Sequence, residues 1–274
     1  MRLRITHETV YRYDSPIDRA IEILRLTPQN HHGQYVSDWR VDVSTDGRLT
    51  RIEDPFGNTT HSLSFEGPVE TLVIQAGGEV VTNDTAGIVR GLRDKLPAAV
   101  FLRPTDYTAA DEKVAALAAA MTAAANDPLD LLHRLNIDIH RRINLAPAIH
   151  APARPATAVI ADVDEPATPQ DVAHLFIAVA RHAGVPARYV SGYLHRPEAF
   201  RETDAGHAWA EAYVDGLGWI AFDPCLGICP MDAHVRVATG LDSIGAAPIR
   251  GARAGGGIES IAVNIVVEEI TYGL

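Results

Sequence analysis

The chain has 274 residues, 47% of them hydrophobic, enough to bury a core in one large or two modest domains without disulfide staples. Asp and Glu outnumber Lys and Arg by 35 to 24, and the resulting formal charge of -11 repels nucleic-acid phosphates and anionic lipid. Small molecules or peptides are therefore the expected partners, with no nucleic acid and no membrane; two cysteines, Cys225 and Cys229, and no apolar leader segment suggest a cytoplasmic protein.

From the N-terminus, short alternating runs such as "RLRITHETVYRY", "DWRVDVST" and "ETLVIQAGGEVV", separated by turn signals at Asp46-Gly47 and Phe56 to Asn58, predict a β-rich domain over residues 1–95. "AADEKVAALAAAMTAAAND" and "DPLDLLHRLNIDIHRRINLA" then predict two helices, which open a second domain over 96–235. The Ala- and Pro-rich stretch from Ala146 to Pro166 has no sustained period and is expected to run as an extended loop. Strands are predicted at "ARYVSGYL", "HAWAEAYV" and "WIAFD", the last two joined at Asp215 to Gly218. Residues 236–274 form a C-terminal segment, with "RGARAGGG" as a flexible turn before the strand "SIAVNIVVEEI", which is free to return to the N-terminal domain.

Between the loop and these strands, "ATPQDVAHLFIAVARHAGVP" has the chemistry of a sharp helix start. Thr168 supplies the cap, Pro169 fits the first helical position, and Asp171 completes an approximate capping box. Val172, Leu175, Phe176 and Val179 make an apolar stripe, and Gly184 with Pro186 ends the helix. Along "HAWAEAYV", His207, Trp209, Glu211 and Tyr213 share one parity, a polar and aromatic face, while Ala208, Ala210, Ala212 and Val214 form the face that buries.

The segments "PQDVAHLFIAVARHAGVPARYVSGYL", "GHAWAEAYVDGLGWIAFDP" and "HVRVATGLD", in that order, resemble the bacterial transglutaminase-like proteins of the papain-like cysteine-protease superfamily, and the opening "LRITHETVYRYDSPIDRAIEILRLTPQ" resembles their N-terminal domain. The resemblance implies an α+β fold: a papain-like transglutaminase core, helix packed on antiparallel sheet, behind a β-rich N-terminal domain. It also implies that His207 is the general base and that Asp223 orients it. A gapless match puts Pro169 where the family keeps its nucleophilic cysteine. Proline offers neither a nucleophile nor the backbone N–H that such a residue gives to an oxyanion hole.

Two residues are candidates to replace the thiol. Cys225, two positions beyond Asp223, falls on the same face of a continuing strand, and antiparallel counting places it opposite His207. The hydroxyl of Thr168 neighbours the vacated position, although its capping duty competes. Gln170 and Asp171 stand at the helix mouth as pocket residues, Trp209 shares the His207 face, and His174 and Arg188 read as structural side chains. A metal site from Cys225 and Cys229 with His234 or His207 lacks a second pair, so no metal and no cofactor are expected.

Three functions follow: a divergent enzyme using His207 and Asp223 as general base on an amide, imide or related carbonyl compound; a pseudoenzyme holding a peptide or protein in a degenerate cleft; or a metal-dependent hydrolase.

Overall fold

A computed structural model of the chain describes residues 1–92, 95–146, 151–196 and 206–270. In chain order the elements are β1 (Arg2–Leu24), β2 (Gln34–Val43), β3 (Gly47–Glu53), β4 (Thr59–Thr82) and β5 (Ile88–Val89), then α1 (Glu112–Ala124), α2 (Pro128–Arg142), α3 (Ala156–Ala161) and α4 (Pro169–His182). They are followed by β6 (Ala187–Leu194), β7 (His207–Val214), β8 (Gly218–Phe222), β9 (His234–Gly240), β10 (Ile249–Gly255) and β11 (Glu259–Glu269).

Two antiparallel sheets organise these elements. In the first, β1 lies between β4 on one edge and, on the other, β11 along residues 3–13 and β10 along residues 17–24. β4 is long enough to carry β2 and β3 end to end on its far edge. The second sheet runs β5-β8-β7-β6-β9. Alternation along β1 places Leu3, Ile5, His7 and Thr9 on one buried face, the period of two that a half-covered strand requires.

The helices cover one face of the second sheet. Ala208, Ala210 and Ala212 point from β7 into the same core as Val172, Phe176 and Val179 of α4, and their small side chains let the helix approach closely. α4 is buried on every side rather than along one stripe, because α1, α2 and α3 enclose the flank that the sheet leaves open. The opposite face of β7 is buried as well: Trp209 packs with Val190 and Ala221, and Glu211 is fully enclosed. The polar and aromatic face predicted for β7 is thus enclosed too, with Glu211 held between the Arg188 and Arg236 side chains.

The sheets meet through Leu3, Ile5 and Val80 on one side and Tyr193, Val235 and Val237 on the other. Two buried amides reinforce the contact. Gln34 donates to the Arg236 carbonyl at 2.8 Å and accepts the Arg236 N–H at 2.8 Å. Asn58 repeats the exchange with Thr239 at 2.7 and 2.8 Å. β9 is an edge strand, and these side chains satisfy backbone groups along the edge facing away from β6.

Two sequence expectations are corrected here. The stretch from Ala146 to Pro166, outside the undescribed residues 147–150, contains α3, which buries Ala156 and Val159. Six residues are too few to show a helical period, so packing rather than pattern forms this helix. "RGARAGGG" falls largely within the strand β10, not a flexible turn, and pairs with β1 from Ile17 to Leu24. Its glycines hide a strand signature but suit the pairing: a Cβ at Gly251 would stand 2.2 Å from the Ile21 carbonyl oxygen.

Candidate active site

The start of α4 is built as its sequence suggests. Thr168 Oγ accepts the Asp171 N–H at 3.3 Å, and an Asp171 carboxylate oxygen accepts the Thr168 N–H at 3.0 Å. The other Asp171 oxygen accepts the Arg154 N–H at 2.6 Å. Both side chains are buried and committed to the backbone, so the Thr168 hydroxyl serves as a cap. Pro169 is the buried first residue of the helix, and half-buried Gln170 follows it at the rim of a cavity.

His207, at the start of β7, reaches that same cavity. Its Nε2 lies 2.6 Å from Asp223 Oδ2 and its side chain is only 3% exposed, while its Nδ1 is buried without a hydrogen-bond partner. Asp223 lies just past the end of β8, where the chain folds back: its N–H donates to the Ile228 carbonyl at 2.8 Å and its carbonyl accepts the Gly227 N–H at 2.8 Å. Gly227 takes φ of 70°, the left-handed conformation this turn needs.

The turn corrects the expectation for Cys225. The strand ends before reaching it, so Cys225 does not continue the ladder opposite His207; its N–H instead donates to Asp223 Oδ1 at 3.0 Å. The thiol joins the apolar core, and burial, with the negative charge of Asp223 adding to it, pushes its pKa up to about 12. A thiol so placed is neutral near pH 7 and a poor nucleophile.

Asp223 accepts four hydrogen bonds. Oδ1 takes the N–H groups of Cys225 and Leu226 at 3.0 and 3.2 Å, and Oδ2 takes His207 and His234, the latter at 3.1 Å. Burial opposes its charge, but the two imidazoles and these hydrogen bonds outweigh burial and hold the carboxyl below the usual carboxylate range. The histidine protons follow from the network. His234 Nδ1 accepts the Met231 N–H at 3.2 Å, so its proton sits on Nε2 and points at Asp223. His207 likewise donates from Nε2, which leaves the Nδ1 lone pair without a donor among the described residues.

Nε2 of His207, Nε2 of His234 and a carboxylate oxygen of Asp223 lie within 4.8 Å of one another. That spacing suits a metal, but the proton arrangement does not: a ligating Nε2 on His234 needs its proton on Nδ1, where the Met231 N–H already points. Neither cysteine belongs to this group among the described residues. The donor set fits a hydrogen-bonded carboxylate better than a metal centre.

The other sequence candidates resolve into support. Trp209 stands behind the pair, its ring 6.1 Å from that of His207 and edge-on to that of His234 at 5.4 Å. His174 is fully buried, accepts the Ser243 N–H at 3.0 Å, and stacks between Tyr107 and Tyr189. Arg188 pairs with Glu211 at 2.6 Å and lies 3.8 Å above the Trp219 ring, and Arg236 holds the other Glu211 oxygen at 2.7 Å.

The cavity measures about 310 Å³ and lies between the sheets. Its far wall comes from residues that sequence reasoning did not assign: His7 and Thr9 of β1, Tyr193 of β6, and Ile261, Val263 and Ile265 of β11. His7 bonds Tyr193 at 2.9 Å and Thr9 at 3.1 Å, and burial lowers its pKa to about 4, so it stays neutral. The alternation of His7, Thr9 and Tyr11 was the available signal, a polar row on one strand face.

Residues 3–81 match the bacterial transglutaminase-like N-terminal region, and residues 115–224 match the transglutaminase-like superfamily. An uncharacterised protein of Mycobacterium leprae is 28% identical over 282 residues, covering 97% of this chain and 98% of its own. An uncharacterised protein of Mycobacterium tuberculosis is 28% identical over 287 residues, with 91% and 87% covered. The crystal structure of a candidate cysteine protease from Cytophaga hutchinsonii shares the fold, with a TM-score of 0.75 at 20% identity over 100% of this chain and 92% of that one. The bacterial transglutaminase-like N-terminal region and the transglutaminase-like superfamily core thus match in order along one chain, and α4 packed on an antiparallel sheet gives it the transglutaminase-like fold.

Proposed function

We propose that the protein is a divergent enzyme of this family that acts on an amide, imide or related carbonyl compound without a covalent thiol. One observation carries the reading: His207 borders the cavity with Nδ1 buried and unpartnered among the described residues, while Nε2 is bound to an ionised Asp223. In this reading Nδ1 takes a proton from water as its oxygen adds to the substrate carbonyl carbon. Asp223 stabilises the imidazolium without accepting its proton, and the same Nδ1–H then protonates the leaving nitrogen as the C–N bond breaks. By the gapless sequence match Pro169 stands where the resembling family keeps its cysteine, and burial makes the Cys225 thiol too basic to take over.

Turnover of a panel of amides and imides tests the reading. His207→Ala abolishes turnover, whereas Cys225→Ala retains it; loss in both variants assigns the chemistry to the thiol instead.

A pseudoenzyme that binds a peptide or protein partner is the second reading, favoured by Pro169. A residue without a backbone N–H deprives an oxyanion of a donor whose loss elsewhere costs about 2.7–4 kcal/mol. In that case no substrate turns over, and Pro169→Cys recovers amide hydrolysis.

A further inference from the structure

The cavity is bordered mostly by apolar and uncharged side chains. His207 and Gln170 border it from the core. Leu26, Val237, Ile249, Ile261, Val263 and Ile265 supply aliphatic lining, beside the neutral polar side chains of His7, Thr9 and Tyr193. No Asp, Glu or Lys is among the described residues that border it. Arg25 does, but its charge is already matched by Asp54 at 3.2 Å, in a pair whose side chains are 15% and 10% exposed. His7 is neutral, and the Asp223 charge is enclosed by four donors.

Among the described residues an ionised ligand entering here would lose its hydration and meet no opposite charge but Arg25, which Asp54 already neutralises, an unfavourable exchange. An uncharged ligand with an apolar body loses little and gains the aliphatic wall. At ~30 Å³ per non-hydrogen atom, the volume holds about ten of them.

We infer that the cavity binds an uncharged carbonyl compound with a short aliphatic chain, its carbonyl at His207 and its chain against the β11 side chains Ile261, Val263 and Ile265. The orientation of the carbonyl rests on the general-base reading; the selection for an uncharged aliphatic body rests on the cavity walls alone. The N-terminal sheet and the C-terminal strand therefore set ligand choice, while the core supplies the reacting group.

Octanamide, with ten non-hydrogen atoms, is the probe, and octanoate and protonated octylamine are its charged counterparts. Isothermal titration at pH 7.5 on the full chain is expected to show octanamide binding at least tenfold tighter than either ion. Ile261→Asp weakens octanamide at least tenfold; Ile261 is 56% exposed, so this change leaves the fold intact, and Val263→Asp provides a second variant. Octanoate binding as tightly as octanamide would assign the cavity to Arg25, whose Nη1 has no partner, and overturn the inference. Octanamide binding indifferent to both β11 variants overturns it equally.

The two readings separate in the same experiment. Selective octanamide binding without turnover of any amide leaves this inference standing and removes the general-base reading. His207-dependent turnover of other amides, with no octanamide binding, does the reverse.

Discussion

His234 donates from Nε2 to Asp223 Oδ2 at 3.1 Å, the same oxygen that His207 holds at 2.6 Å. One carboxylate thus serves two imidazoles, and only one of them faces the cavity. His234→Phe removes a donor to a buried charge and is expected to lower stability by about 1.5–3 kcal/mol in urea unfolding. It also lets the Asp223 carboxyl rise toward its ordinary value, so acid unfolding of the variant begins at higher pH.

Asp223 itself dictates an acid dependence. Its folded-state pKa is depressed, so its contribution to stability is complete above the unfolded value of about 3.9 and is lost as pH falls below it toward the folded value. Asp223→Asn removes that dependence and flattens the acid limb of the stability profile. The amide N–H group also faces the imidazoles in place of an acceptor, which favours the wrong His207 tautomer. Turnover is expected to drop by about 10⁴, the scale of the same exchange in a serine protease, and imidazole ¹⁵N shifts report the tautomer.

Glu211 is fully buried between Arg188 and Arg236. Glu211→Gln leaves two buried cations without their anion and is expected to cost about 3–5 kcal/mol in chemical denaturation. The loss exceeds that of any exposed pair such as Arg40 with Asp42, for which about 0–1 kcal/mol is expected.

Thiol chemistry separates Cys225 from the helix start. With its pKa pushed up to about 12, Cys225 should resist iodoacetamide at pH 7.5 in the folded protein and react once unfolded, as mass spectrometry would show. Pro169→Cys places a new thiol at the positive end of α4, and it is expected to be alkylated many times faster than Cys225.

The start of α4 was legible because capping chemistry is local: Thr168 and Asp171 bond one another across three residues, with Pro169 at the first helical position between them. His207 and Asp223 were legible through strand parity, a short hairpin and the family pattern. Cys225 was misplaced because Asp223 stops the strand with its own carbonyl and carboxylate, an event no alternation pattern records. His234 entered only as a metal candidate. Its role depends on a proton fixed by Met231 and on a carboxylate eleven residues away in the chain. The cavity wall was hidden for a related reason, since β11 reaches it only by pairing with β1 from the other end of the sequence.

The amides of Gln34 and Asn58 behave toward β9 as two rungs of a missing strand. β9 begins at His234, so the element that the N-terminal sheet clasps is the one that braces Asp223. Pulling the two sheets apart would therefore unzip a strand edge and loosen the bracing of Asp223 and His207 together. The N-terminal sheet and the His207–Asp223 pair form one mechanical unit, and a core expressed without its partner sheet would keep those residues but lose their alignment.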